Sequence, residues 1–178
     1  MVHRCFVVVL SMLLLVGCSA AWTPPDGAIL EPLLLQAGDL PPSLAPGQIR
    51  ADLPPMFDAI PVALVPRFQQ FAAGDAPSGG VAVLVYPTEA EADAGYAALA
   101  EGMGTGLVPA DVGDEGVRNE PNEMIGALLG RTMTDLLFRR CSTVVHIRMG
   151  VDTADETLRT ITAYAARLDA RLMPVVCP

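Results

Sequence analysis

The stretch "LLFRRCSTVVHIRMGVDTADETLRTITAYAARLDARL", Leu136 to Leu172, decides how this chain folds. Leu136–Arg140 and Thr143–Met149 are short runs rich in apolar and β-branched residues, and they flank Cys141-Ser142. They read as two strands of a hairpin. Thr153 and Glu156 then stand in the S/T-x-x-E order that starts helices, the hydroxyl satisfying an orphan amide. Leu158, Ile161, Ala165, Leu168 and Leu172 follow at spacings of three and four, which puts them on one helical face. That face is expected to pack on a strand containing Val145 and Ile147.

The same grammar occurs upstream. "GDAPSGG", Gly74–Gly80, is turn chemistry. "VAVLVY", Val81–Tyr86, is a continuous valine-rich run that reads as a buried strand. Thr88 and Glu91 repeat the capping box, and Ala92, Tyr96, Leu99 and Met103 fall on one face of the helix that follows. Two strand–cap–helix units point to an α+β domain: a mostly antiparallel sheet with helices packed on one face. Between them, residues 102–130 hold one short strand and a loop. Val62–Phe71 reads as a strand broken by Pro66, which assigns it to a sheet edge. Prolines 41, 42, 46, 54 and 55 argue against regular structure before it. Pro32 suits the first turn of a short helix, with Leu30 poised to staple onto Leu35 and Gly38 as its cap.

The amino-terminal end carries a different message. Phe6–Val16 is apolar apart from Ser11 and follows Arg4. About a dozen residues span roughly 18 Å as a helix, too short for a hydrocarbon core of ~30 Å. Such a run fits the core of a secretion signal. It ends in Leu15-Val16-Gly17-Cys18, which resembles the lipobox of bacterial lipoproteins. The resemblance implies cleavage before Cys18, diacylglycerol on its thiol and a fatty acid such as palmitate on the new amino terminus. Two chains hold firmly, because each buried methylene adds about 0.8 kcal/mol. The expected organisation is therefore a lipoprotein signal peptide over 1–17, a lipidated amino terminus and short tether over 18–29, and one domain over 30–178. The tether places that domain close to the membrane. Ser19 leaves open whether the membrane is inner, outer or that of a single-membrane cell.

The formal net charge is −9, and every basic residue is arginine. Loss of Arg4 with the signal makes the remainder more acidic still. Nucleic acid and anionic surfaces need clustered positive charge, so no nucleic-acid partner is expected. Arg139-Arg140 is the one basic pair and reads as a strand end facing solvent. Of four cysteines, Cys5 leaves with the signal and Cys18 takes lipid. Cys141 and Cys177 remain, and two thiols in an exported chain read as a disulfide. The competing reading is two free thiols in a tethered dimer.

No pattern with catalytic specificity emerges. His146 shares its strand face with Val144 and Arg148 and has no second ligand at metal-binding spacing. It reads as a surface histidine beside a charge, dispensable for stability. "GMGTG", Gly102–Gly106, follows a helix and not a strand, so it reads as a helix stop. "DVGDEG", Asp111–Gly116, with Glu120 and Glu123, lacks the EF-hand spacing and reads as a solvated acidic loop. Neither Ser19 nor Ser142 has a nucleophile-elbow context. No metal and no cofactor are expected, and no catalytic residue is assigned.

"LLLQAGDLPP", "VAVLVYPTEAEADAGYAAL", "VGDEGV" and "LLFRRCSTVVHIRM" with the closing helix resemble small exported lipoprotein domains of GC-rich bacteria. The nearest relatives of those domains are the extracellular sensor domains of mycobacterial PknH-type serine/threonine kinases. The resemblance spans most of residues 30–172. It implies an antiparallel sheet with packed helices, disulfide support, a ligand cleft and no established catalysis. The expected function is a membrane-anchored, non-enzymatic ligand-binding or sensing module of the cell envelope, on its outer or periplasmic face. Its partner would be a small molecule or an envelope protein, held in a cleft between sheet and helices or by the Pro-rich 38–66 segment. The alternative is an envelope enzyme built around His146 and the Asp111–Glu123 acidic loop.

Overall fold

The computed structural model describes residues 23–36, 38–74, 76–121, 132–151 and 153–177. Cys18, with the whole lipobox, lies outside them, as does Glu123. Among the described residues no helix is long and apolar enough to cross a membrane.

Seven strands are found among these residues: β1 (Ala45–Arg50), β2 (Val65–Ala73), β3 (Ala76–Val85), β4 (Val108–Pro109), β5 (Glu115–Arg118), β6 (Thr132–Arg140) and β7 (Thr143–Val151). They form one sheet in the order β1-β2-β3-β7-β6-β5-β4, antiparallel at every pairing. The helices are α1 (Gly27–Leu30), α2 (Glu89–Gly102) and α3 (Ala154–Val176), with 3₁₀ turns at Glu31–Leu33 and Pro55–Phe57. The class is α+β, as the strand–cap–helix grammar requires. Both caps form: Thr88 Oγ1 accepts from the Glu91 amide and Thr153 Oγ1 from the Glu156 amide, each at 3.2 Å. Thr88 then donates its hydroxyl proton to the Glu91 carboxylate at 2.9 Å. That bond replaces the expected reach of Glu91 to a backbone amide.

The expectation that the helices share one face is corrected. Register fixes the two faces, because paired residues project to the same side. Val81, Val83, Leu136, Phe138, Val145 and Ile147 project to one side. They pack there with Ile161, Ala165, Leu168 and Leu172 of α3 and with Leu30 and Leu34 of the amino-terminal turns. Ala82, Leu84, Leu137 and Val144 project to the other side, where they meet Ala92, Tyr96 and Leu99 of α2. The cause lies in β3 itself. Every residue from Val81 to Val85 is 0–1% exposed, and a strand apolar at each position needs cover on both faces. Gly95 serves that cover, since the Tyr86 ring and hydroxyl occupy the space a Cβ would take.

Leu168 and Leu172 are fully buried, whereas Leu158 is only partly so and Thr157 turns inward instead, accepting from the Val151 amide. The "MPVVCP" tail is helical as far as Val176, with Pro174 inside the last turns of α3.

The prolines misdirect in two places. β2 is not an edge strand; β1 covers it, although Pro46 lies within β1. Each proline nevertheless obeys its own constraint. Pro46 sits on the outermost strand beside an irregularity in register, and Pro66 lies beyond the last β1 pairing, Arg50↔Phe68, where β2 has no outer neighbour. The turn expected over Gly74–Gly80 is shorter than that, because β3 begins at Ala76. Gly104 (φ 93°) and Gly106 (φ 81°) end α2 as a helix stop.

Cys141 and Cys177 are bonded, with Cα atoms 5.7 Å apart. Cys141 occupies a left-handed conformation (φ 50°) in the two-residue β6–β7 turn, a place that favours glycine. The bridge and a 2.7 Å hydrogen bond from its amide to Asp114 hold it there. Arg139 and Arg140 are not a solvent-facing strand end. Neighbours on a strand point to opposite faces, and each arginine binds the helix on its own side. Arg139 lies 2.7 Å from Asp93 of α2, a charge contact not aligned as a hydrogen bond. Arg140 grips Asp169 of α3 through Nε at 2.8 Å and Nη2 at 2.6 Å.

Candidate functional site

The two faces are covered differently over β1 and β2. On the α3 side, α1 and the following turn lie across β2 and close the core. On the α2 side, the helix rests on β6 and β7, and only the segment around Pro55–Phe57 reaches over the rest. A half-open cavity of about 400 Å³ remains between that segment and the sheet. This lies at the small end of ligand-binding pockets, which run from roughly 300 to 1,000 Å³.

Each element contributes a defined part. The Pro-rich segment supplies Pro54, Met56 and Phe57, while the sheet supplies Arg50, Phe68, Gln70, Gly80, Met133, His146 and Arg148. Gly80 matters by what it lacks: a Cβ there would stand 2.7 Å from the Phe68 ring. Its absence lets that ring lie down against β3, and the Arg50 guanidinium sits 5.3 Å from the ring centroid, within cation–π range. Phe57 meets the His146 ring edge-on, centroids 5.7 Å apart at 73°.

Behind the cavity lies a polar cluster. His146 is 3% exposed and its Nε2 is 2.9 Å from Asp135 Oδ1. Arg148 donates to the same carboxylate through Nε at 2.8 Å and Nη2 at 3.0 Å. Asn119 completes the set, donating to Asp135 Oδ2 at 3.2 Å and accepting from the Asp135 amide at 2.8 Å. Burial alone would raise the Asp135 carboxyl. Hydrogen bonds and positive charge from His146 and Arg148 outweigh that and bring it down to about 2. Because an ionised carboxylate only accepts, Nε2 of His146 carries the proton it shares with Asp135. Nδ1 has no hydrogen-bond partner among the described residues.

The reading of His146 as a surface residue is therefore corrected. The histidine belongs to a buried ion-pair cluster, and its face is the one that α2 and Phe57 cover. Asp135 and Asn119 carried no weight in the sequence reading, yet a signal for the first existed. A two-residue turn at Cys141-Ser142 pairs Arg140 with Thr143, and counting back from there places Asp135 opposite Arg148 with His146 diagonal to it.

The acidic loop goes elsewhere. Asp114 accepts from Arg140 Nη1 at 2.6 Å and from the Cys141 amide at 2.7 Å, at the hairpin tip. Glu120 accepts from Arg118 at 3.0 Å. Asp111, Asp114, Glu115 and Glu120 stay exposed, as a solvated acidic loop requires, although Asp114 and Glu120 also bind arginines. None of the described carboxylates of the loop lines the cavity. Among the described residues, the structure does not bring the carboxylates of that loop together with His146. Among the described residues, no group of three histidine, cysteine or acidic side chains converges as a metal site would require.

Chemically, the cavity offers apolar and aromatic walls, two arginines, an amide and an oriented imidazole. It presents no serine, threonine or tyrosine hydroxyl and no cysteine thiol among its described lining residues. Compared with known proteins, the chain matches no family profile and no curated sequence.

Proposed function

We propose that this chain is a lipid-anchored lipoprotein of the bacterial cell envelope whose domain is a non-enzymatic ligand-binding or sensing module. The cavity carries the reading: apolar walls with a few convergent polar groups suit a small ligand. Leu15-Val16-Gly17-Cys18 supports the anchor and the export, and the resemblance of most of residues 30–172 to small exported lipoprotein domains akin to kinase sensor domains supports the sensing role. The anchored domain faces outward or into the periplasm and takes its ligand at the cavity mouth.

Native mass spectrometry of the protein released from its own membranes tests both parts. A diacylglycerol increment on Cys18 and a retained small molecule are expected. An unmodified Cys18 in the membrane form contradicts the anchor. Equal ligand retention after Gly80→Leu, which fills the cavity floor, contradicts the site.

A second reading rests on one observation. Asp135 orients His146 as an orienting group does a general base, which suits a hydrolase that activates water. Conversion of the retained molecule by wild-type protein, abolished in His146→Gln, would favour that reading over simple binding.

A further inference from the structure

We infer that the cavity takes a single-chain anionic amphiphile, its acid group held by Arg148 and Arg50 and its apolar part lying against Phe57, Phe68 and Met133. This rests on the binding reading above and adds the chemistry of the ligand.

Charge is the first argument. The chain as a whole is strongly acidic, at −9, yet the described cavity lining holds two arginines and a histidine and no carboxylate. Asp135 stands behind the lining at 5% exposure, so it neutralises the cluster without facing the ligand. Its role is to hold Arg148 in place. Nε and Nη2 form the fork to Asp135, and Nη1 has no partner among the described residues. The Arg148 side chain is still 48% exposed. A guanidinium held on one edge and open on another is preorganised to donate to an acid. Arg50 is the less constrained counterpart. It is 45% exposed, and its nearest acid, Asp52, is 3.8 Å away and itself 77% exposed, a weak competitor.

Shape is the second argument. The walls between these arginines are aromatic and thioether surface, and methionine adapts to flexible chains. The volume suits one short chain and not the two of a membrane phospholipid.

Calorimetry on the full-length protein in phosphatidylcholine nanodiscs, with empty discs as blank, tests this. The probes are octanoate, octanol and octyltrimethylammonium. Octanoate is expected to bind at least tenfold more tightly than octanol, and the ammonium not at all. Arg50→Gln is expected to weaken octanoate about tenfold and leave octanol unchanged, the loss of one charge-assisted contact. Arg148→Gln should do the same, and Arg50→Gln keeps the test valid if that variant misfolds. Equal octanoate and octanol affinity, or tighter ammonium binding, overturns the anionic ligand while leaving a binding cavity. No binding by any probe overturns the cavity as well. Phosphatidylglycerol discs separate the sources of the acid. Unchanged octanoate affinity there supports a free acid; its loss assigns the arginines to a bilayer headgroup and overturns the proposal.

Discussion

The two faces of the sheet are built to different ends. On one, α3 runs for 23 residues, roughly 35 Å, and with α1 covers the central strands completely. Its contacts are aliphatic and aromatic, with Tyr164 fully buried, and its arginines form clamps. Arg171 holds the buried Asp39 through two bonds of 2.6 and 2.7 Å, and Arg167 adds a third at 3.3 Å. Burial would raise the Asp39 carboxyl, but Arg171 prevails and lowers it. On the other face, α2 has 14 residues, roughly 21 Å, and stops short of β1 and β2. There the fold keeps a buried ionic cluster and an open cavity. The completed face is closed by packing, and the unfinished face holds the candidate site.

The largest expected effect concerns the completed face. The Cys141–Cys177 bridge closes a sequence separation of 36 residues, and the chain-entropy argument gives about 4 kcal/mol for such a loop. Cys141→Ser with Cys177→Ser should lower the urea midpoint accordingly. Amide exchange should rise over the last turns of α3 and stay unchanged over α2. Faster exchange in α2 instead would show that the two faces are not independent.

Next is Leu168→Ala. This side chain is fully buried under α3, and its loss should cost about 3 kcal/mol with no change in octanoate affinity. A shifted affinity would mean that packing on one side sets the cavity on the other.

Asp135→Asn should cost about 2 kcal/mol at neutral pH, from the displacement of its carboxyl to about 2. A carboxyl held below its unfolded value stabilises fully above about pH 4 and loses that contribution as pH falls toward 2. The acid limb of a stability–pH curve should flatten in the variant. Asp39 acts with the same sign on the other face, so the flattening is partial. An unchanged acid limb would remove Asp135 from the account. Arg50→Gln is smallest, within about 0.5 kcal/mol for an exposed side chain, and its effect falls on affinity.

How far these differences could be read in advance follows from the residues. Val81–Val85, the two threonine caps and the α3 stripe are local patterns with one physical meaning each. The disulfide follows from compartment and count. β1 escaped because proline chemistry speaks against strands in general, while the pairing that excuses Pro46 is nonlocal. The second covered face was implicit in β3, whose unbroken apolar run leaves neither side for water. The site was the least legible part. Arg50, Phe57, Phe68 and Gly80 come from three strands and a turn, and only the strand register and the fold of the Pro-rich segment bring them together. Asp135, His146 and Arg148 sat within one hairpin, and tracing register through its turn would have joined them.

Methionine methyls give the most direct measurement, since they mark both faces. Met56 and Met133 line the cavity, whereas Met149 is buried under α3 and Met173 is exposed on it. In full-length protein carrying 13C-methyl methionine, in phosphatidylcholine nanodiscs, octanoate should shift the Met56 and Met133 resonances in a saturable way. Met149 and Met173 should stay fixed. Shifts confined to Met173, or none at Met56 and Met133, would contradict a ligand site on the unfinished face.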